Sequence, residues 1–247
     1  MPVLTTLRGL ALAAALGSAP LAAQGLPVDV ELVLAVDISG SIDPVDARLQ
    51  RGGYVTALRE PEVILAIERG MHGRIAIAYV EWAGETHQHT VLDWTLIEGR
   101  EDAIAFSGAL AEAPFWKGSW TSISAAIDYA AAMFEGNGYD GLRRVIDISA
   151  NGYSNHGRPV EAARDQAVAA GITINGLPVL HDRASPLGGL PPADLDRYFE
   201  QRVIGGPAAF VIVARDFADF GRAILAKLQL EIAGEMPPAP DLATAAR

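Results

Sequence analysis

Residues 36–43, VDISGSID, place one aspartate and two serines at alternate positions immediately after the apolar run VELVLA. The segment that follows, PVDARLQRGGYVTAL, has the spacing of an amphipathic helix. We expect Asp43 to cap that helix at its N-terminus. Asp37, Ser39 and Ser41 are therefore predicted to lie in a loop between a buried strand and a helix.

Strand and helix patterns alternate along the rest of the chain. Short apolar, β-branched runs predict strands at residues 28–36, 73–82, 86–94, 143–149, 171–179 and 208–214. Helical patterns occupy residues 44–58, 62–68, 100–111, 121–134, 159–170, 193–200 and 217–230. Continuous apolar strands that alternate with helices are typical of a parallel sheet covered on both faces. The predicted fold is therefore of the α/β class, a three-layer, Rossmann-like sandwich with a mostly parallel central sheet.

One predicted strand differs from the others. Residues 86–94 alternate polar and apolar side chains, and they follow the preceding strand after only a short glycine-containing link. Two parallel neighbours would need a longer crossover connection. We therefore expect this strand to be antiparallel to its neighbour and to lie at an edge of the sheet.

The composition excludes several classes of function. The chain has 247 residues, with 30 acidic and 19 basic side chains and a formal net charge of −11. A nucleic-acid-binding surface needs clustered Lys and Arg, and the sequence has no such cluster. The chain also has no cysteine, which excludes disulfides, thiol catalysis and zinc–thiolate sites.

The two ends of the chain differ in character from its middle. Residues 1–25 have a basic start, a short apolar core and small residues near Ala23, which are typical of a cleavable signal peptide. An uncleaved anchor is the alternative, but the apolar core is too short to span a bilayer as a helix. We therefore expect a periplasmic or secreted protein whose mature chain has no transmembrane segment. Residues 28–232 form the predicted domain, and residues 233–247 a disordered tail.

The loop after the first long strand is the candidate site. In an open α/β sheet, ligands bind beyond the carboxyl ends of the strands. There, the carboxylate of Asp37 and the hydroxyls of Ser39 and Ser41 can face one point, and an all-oxygen set of this kind suits Mg²⁺. The alternative is that these side chains only satisfy backbone N–H groups of the turn and the helix start.

The motif DISGSI resembles the Asp-x-Ser-x-Ser element of von Willebrand factor type A (VWA) domains. The segment KGSWTSISAAIDYA resembles their second loop and places Thr121 at its threonine position. RRVIDISANGYSN resembles their third loop, but Asn151 stands where that family has aspartate. Together with ITINGLPV and VIGGPAAFVI, the pattern is most similar to a bacterial family of exported proteins of unknown function, DUF1194.

The resemblance implies a metal-ion-dependent adhesion site (MIDAS). It would hold Mg²⁺ or Mn²⁺ through five side chains: Asp37, Ser39, Ser41, Thr121 and Asn151. Because Asn151 replaces a carboxylate, we expect weakened metal binding that Asn151→Asp improves. Asp147 is not expected to substitute, because four residues of extended strand, about 13 Å, separate it from Asn151.

Three functions remain open at this stage. The resemblance implies a non-catalytic binding module whose cation takes an acidic group from a partner protein. A metal-assisted hydrolase with His156 as general base is the second hypothesis, and a metal-free envelope scaffold is the third. Two other features carry less weight: His87 and His89 are expected to be solvated rather than to bind metal, and Trp116 and Trp120 could form an aromatic rim for a protein or sugar partner.

Overall fold

The computed structural model of the protein describes residues 25–180 and 192–237. The predicted signal peptide falls almost entirely outside the described residues, as do residues 181–191 of the loop HDRASPLGGLPP and residues 238–247 of the predicted tail. Within the described ranges, no helix is both long enough and apolar enough to cross a bilayer.

The strands are short and the helices that separate them are amphipathic. The strands are β1 (Leu26–Val28), β2 (Glu31–Asp37), β3 (Ile75–Trp82), β4 (Gln88–Ile97), β5 (Tyr139–Gly141), β6 (Arg144–Ala150) and β7 (Ile172–Pro178). The helices are α1 (Pro44–Ala57), α2 (Pro61–Glu68), α3 (Arg100–Glu112), α4 (Ile123–Ala132), α5 (Val160–Ala169), α6 (Leu195–Tyr198) and α7 (Phe220–Ala233). A π-helical turn, Phe199–Val203, continues α6. Gly234, with φ of 72°, ends α7 in the left-handed conformation that glycine adopts without strain.

Five strands form the main sheet, in the order β4-β3-β2-β6-β7. β2 pairs in parallel with β3 on one side and β6 on the other, and β7 extends the parallel part beyond β6. β4 is antiparallel to β3 and lies at the edge. The predicted α/β class, the parallel sheet and the antiparallel edge strand are therefore confirmed.

The prediction of one strand over residues 28–36 is wrong, because two separate strands occupy this region. Asp29 interrupts it: its carboxylate accepts the backbone amides of His72 (2.9 Å) and Arg74 (3.2 Å). β1 then pairs in parallel with β5 in a separate two-stranded sheet. Asp29 thus turns the chain between the two sheets, which an apolar pattern alone does not reveal.

The prediction of a regular strand over residues 208–214 is also wrong. This segment makes single backbone hydrogen bonds to β7, such as that from the Ile212 amide to the Gly176 carbonyl at 3.0 Å. Its pairings are isolated bridges, Gly176 with Val211 and Val179 with Ala214, rather than a continuous ladder. Ala208 has a positive φ of 57°, and the amide of Phe210 donates to the Asn175 side chain at 3.1 Å. A side-chain acceptor and a left-handed residue therefore replace the start of a regular ladder.

The predicted helix at 193–200 begins at Leu195 and continues into the π-helical turn.

The sheet has a buried core on each face. Alternate residues of β2 face opposite ways: Leu32 and Leu34 pack with α1, α2 and α7, whereas Val33 and Ala35 pack with α4 and α5. Both faces of the central strand are therefore buried, as a parallel sheet requires. The loops of the site follow the carboxyl ends of these buried strands.

An ionic cluster interrupts the apolar layer between the sheet and α7. Lys227 on α7 lies 2.7 Å from the Asp147 carboxylate and also donates to Glu231, and the Asn175 amide donates to Glu231 at 2.9 Å. The side chains of Asp147, Lys227 and Glu231 are at most 2% exposed. Burial and the neighbouring Asp147 raise the pKa of Glu231 to about 7, against the opposing effect of Lys227, and burial also raises the pKa of Asp147. Asp147 is therefore engaged in the core, as expected from its position.

The cluster predicts how stability depends on pH. Between pH 4.5 and 7 the folded protein retains a proton on Glu231 that the unfolded chain releases, so this group's contribution to stability falls as pH rises. Glu231→Gln should make the fall of Tm from pH 5 to 7.5 shallower, because glutamine keeps a side-chain acceptor but does not titrate. Glu235→Gln, at an exposed position on the same helix end, is the matched control. Parallel Tm–pH curves for the wild type and Glu231→Gln would contradict the assignment.

Candidate metal-binding site

The loop after β2 is folded by its own side chains. Asp37, the last residue of β2, has no exposed surface, and its Oδ1 accepts the amide of Ser39 at 2.7 Å. The amide of Ile42 donates to the Ser39 carbonyl at 2.9 Å, which closes a turn. Asp43 Oδ1 accepts the amides of Val45 (2.7 Å) and Asp46 (2.8 Å), so Asp43 caps α1 as predicted. The loop leads directly from a buried strand end into a capped helix.

A chain of polar side chains joins this loop to the end of β6. The Ser39 and Ser41 hydroxyls are 3.1 Å apart, and Ser41 donates to Asn151 Oδ1 at 2.7 Å. Asn151 directly follows β6, which is the parallel neighbour of β2. The structure therefore brings four of the five predicted ligands together: Asp37, Ser39, Ser41 and Asn151.

Thr121, the fifth predicted ligand, lies in a loop that is fixed mainly through its backbone. The Thr121 amide donates to Asn155 Oδ1 at 2.9 Å, and the Asn155 amide donates back to the Thr121 carbonyl at 2.8 Å. Its side chain is nearly buried. Within residues 25–180 and 192–237, no hydrogen bond joins the Thr121 hydroxyl to the other four side chains. The residue is therefore tied to the loop after β6 rather than to the serines.

The loop that carries Thr121 also contacts the ends of β2 and β3. The Gly118 amide donates to the Ile38 carbonyl at 3.2 Å, and the Ser122 amide donates to the Ala83 carbonyl at 2.8 Å. Gly118 permits this approach, since a Cβ there would lie 2.2 Å from the Cβ of Ala83. The three loops that the sequence singled out thus meet at the carboxyl edge of the parallel strands.

Asp37 is a deeply buried carboxylate whose charged form is destabilised by burial. Burial raises its pKa to about 7, although hydrogen bonds from Ser39 and the backbone of Asn151 oppose the shift. Its Oδ2 is buried and has no hydrogen-bond partner among the described residues. Leaving such an atom unpartnered costs about 1–3 kcal/mol. A divalent cation at this edge would remove that cost.

The donor set fits a small hard cation. It consists of one carboxylate, serine and threonine hydroxyls and an amide carbonyl, and oxygen ligands of this kind suit Mg²⁺ or Mn²⁺. The described residues contain no cluster of three or more His, Cys, Asp or Glu side chains with the geometry of a metal site. Any cation here would therefore be held by a single carboxylate and several neutral oxygens.

The histidines near the site are occupied by other contacts. His156 Nδ1 accepts the amide of Glu85 at 3.2 Å, and its ring stacks on Trp120 with centroids 5.6 Å apart. The ring of His89 packs on Trp116 with centroids 4.5 Å apart. Trp116 and Trp120 are both exposed, and their role as an aromatic rim for a partner stays a prediction.

A buried ion pair near this edge escaped the sequence analysis. Arg51 on α1 donates to Glu81 on β3, and both side chains are almost fully buried. Its signals in the sequence are an acid inside the apolar run IAIAYVEW and a basic residue on the helix that covers it. Buried charges are nearly always paired, so each of these residues implied a partner.

Comparison with protein families shows what this chain is related to. The model of the family described as "Protein of unknown function (DUF1194)" matches residues 27–236. The chain belongs to this family, as predicted from the motifs. The comparison with curated protein sequences found no match.

Solved structures with similar folds are of the VWA type. Proximal thread matrix protein 1 from the mussel byssus has a TM-score of 0.61 at 16% identity, over 85% of this chain and 49% of that one. A second structure of that protein, described as having a zinc-occupied MIDAS motif, has a TM-score of 0.59 at 16% identity, with the same coverage of both chains. Only the fold follows at such identities, and the chain spans about half the length of the mussel protein.

Two further solved structures also have a fold similar to that of this chain. The pilus adhesin SpaC from Lactobacillus rhamnosus GG has a TM-score of 0.58 at 14% identity, over 85% of this chain and 31% of that one. A von Willebrand factor type A protein from Catenulispora acidiphila has a TM-score of 0.53 at 14% identity, over 83% and 42%. The predicted VWA-like fold is therefore confirmed.

The orphaned carboxylate predicts an unusual effect of substitution. In EDTA at pH 8, Asp37→Asn should raise the free energy of unfolding by about 1–3 kcal/mol, because it removes an uncompensated charge and keeps the acceptor for Ser39. Glu81→Gln is the matched control, since it also neutralises a buried acid but leaves Arg51 without its partner. That variant should lose about 3 kcal/mol or more. Urea unfolding measures both, and destabilisation of Asp37→Asn in EDTA would contradict the assignment.

Proposed function

We propose that this member of the DUF1194 family is a non-catalytic binding module. It holds Mg²⁺ or Mn²⁺ at the carboxyl edge of its sheet and, through that cation, binds an acidic group of a partner protein. The observation that carries the proposal is the buried Oδ2 of Asp37, which has no hydrogen bond among the described residues. Asp37 ends β2 directly before the loop of Ser39 and Ser41, and Ser41 is hydrogen-bonded to Asn151 at the end of β6.

Each predicted ligand has a distinct role in this proposal. Asp37 supplies the single formal negative charge, and Ser39, Ser41 and Thr121 supply neutral hydroxyl oxygens. Asn151 contributes a carbonyl oxygen, which the Ser41 hydroxyl already orients. A divalent cation held by one carboxylate keeps positive charge that these ligands do not neutralise, and that charge attracts an external carboxylate.

Two of the similar structures support this reading by analogy. The mussel protein is described with zinc in its MIDAS motif, and SpaC is described as an adhesin. We infer that the same edge of the fold is used in this chain, with a partner that meets the cation directly. The predicted signal peptide, residues 1–25, would place this interaction in the periplasm or outside the cell.

Metal binding is the first test of the proposal. Titration calorimetry should detect weak binding of Mg²⁺ or Mn²⁺ to the wild type and binding about tenfold or more tighter for Asn151→Asp, because a second carboxylate restores the charge. Gln201→Glu, which adds the same charge at an exposed position away from the site, should bind like the wild type. Tm should rise with metal in step with affinity. No binding by either the wild type or Asn151→Asp at millimolar metal, with an unchanged Tm, would support a metal-free scaffold instead.

Partner capture tests the second half of the proposal. Pull-downs from envelope extracts should recover a partner in Mg²⁺ that is lost in EDTA and with Asp37→Ala. Capture that is indifferent to both changes would count against a metal-mediated contact. Assays against phosphoesters and carboxylic esters with Mn²⁺ should show no turnover. Metal-dependent turnover that His156→Ala abolishes would favour the hydrolase hypothesis.

A further inference from the structure

An apolar pocket lies beside the candidate metal site and is formed in part by the same loop. It encloses about 170 Å³. Its apolar lining comes from the β2–α1 loop and the start of α1 on one side and from the loop before Thr121 on the other: Ile38, Ile42, Pro44, Ala47, Phe115 and Trp116. Ile38 follows Asp37 in the chain, and Ile42 follows Ser41. The pocket and the polar cluster are therefore neighbours on the two sides of one short loop.

The buried guanidinium of Arg51 supports one wall of the pocket. The Arg51 side chain is 3% exposed, and its guanidinium donates to the carbonyls of Ala113 (2.5 Å) and Pro114 (3.2 Å). The same group lies 3.7 Å from the centroid of the Phe115 ring and pairs with Glu81. Four contacts from one buried side chain hold this wall in place, so the pocket is formed before any ligand arrives.

Two aromatic side chains that line the pocket face the solvent, and a third, Trp120, lies four residues further along the same loop. Phe115 and Trp116 are each about half exposed, and Trp120 is 61% exposed. Trp120 also has a φ of 65°, a left-handed conformation that is strained for a bulky residue. Exposed aromatics and local backbone strain are both features of binding sites.

The charge at the pocket is opposite to that of the protein. The chain carries a net charge of −11, yet two exposed cations, Arg48 and Lys117, line the pocket. Neither forms an ion pair within the described part of the chain. Asp43, which also borders the pocket, is engaged as the cap of α1. The rim therefore complements an acidic partner rather than a basic one.

We propose that this pocket takes a large apolar side chain of the partner, two residues away from the carboxylate that binds the metal. The partner segment is thus an extended peptide in which one residue separates an Asp or Glu from a residue such as Leu. Alternate residues of an extended chain point to the same side and are about 6.6 Å apart along its axis, which suits two sites separated by a single loop. This inference rests on the proposed function and specifies the partner of that site.

Two blocked pentapeptides of equal charge test the inference, Ac-Gly-Asp-Gly-Leu-Gly-NH₂ and Ac-Gly-Asp-Gly-Ser-Gly-NH₂. Chemical-shift titration of the Asn151→Asp variant in saturating Mg²⁺ gives both affinities. The leucine peptide should bind about tenfold more tightly, because it buries an apolar side chain. Ala47→Phe, which fills the pocket from α1, should abolish the difference and leave Mg²⁺ binding unchanged by calorimetry. Leu142→Ser, which removes an exposed apolar side chain elsewhere, should change neither.

The outcomes separate this inference from the proposed function. Failure of Mg²⁺ to bind any variant would refute the proposed function. Normal Mg²⁺ binding with equal affinities for the two peptides, or with no binding of either, would refute the pocket assignment alone. Binding of a neutral oligosaccharide that Ala47→Phe blocks would also overturn it, since the pocket would then serve a sugar.

Discussion

The parallel pairing of β2 between β3 and β6 is the constraint on which the rest of the structure depends. Parallel strands end at the same edge of a sheet, so the chain segments that follow them are brought together whatever their separation in sequence. Residue 36 of β2 pairs with residue 149 of β6, and this register sets Ser41 within hydrogen-bonding distance of Asn151, 110 residues away. A slip of the register by one residue would exchange the side chains of β2 between the two cores and disturb the packing of both. The two buried cores therefore fix the geometry of the polar edge.

Much of this arrangement could be predicted from the sequence, because it follows from local patterns. The alternation of apolar strands with helices predicted the three layers. The alternation of polar and apolar residues after Thr86 predicted the antiparallel edge strand, which is β4. Asp37, Ser39 and Ser41 could be predicted as a site because ligands in open α/β sheets bind beyond the carboxyl ends of the strands. The cap at Asp43 followed from its position before a proline.

The features that the sequence did not reveal depend on contacts between distant residues. Asp29 ends a strand because amides more than 40 residues away bind its carboxylate. The segment at 208–214 fails as a regular strand because the Asn175 side chain accepts the amide of Phe210. The lining of the pocket depends on Arg51 reaching the loop at 113–114. In each case a polar side chain determines the local structure by contacting a residue far away in the sequence. Local sequence patterns do not reveal such contacts.

The partners of the other buried acidic side chains give the strongest support for the proposal that Asp37 binds a cation. Glu81 lies against Arg51, while Asp147 and Glu231 share Lys227. Asp29 accepts two backbone amides instead. Each of these four acids is thus compensated by a group of the chain itself, as the cost of burying charge requires. Asp37 is as deeply buried and accepts hydrogen bonds from Ser39 and the backbone of Asn151, but its Oδ2 has none. Glu81 and Glu231 also have one oxygen without a hydrogen bond, yet each pairs with a cationic side chain, and Asp37 has no such partner among the described residues. The fold compensates these four buried acids internally but not Asp37, which lies at the edge where three loops meet, and this contrast is why we propose that a cation binds there.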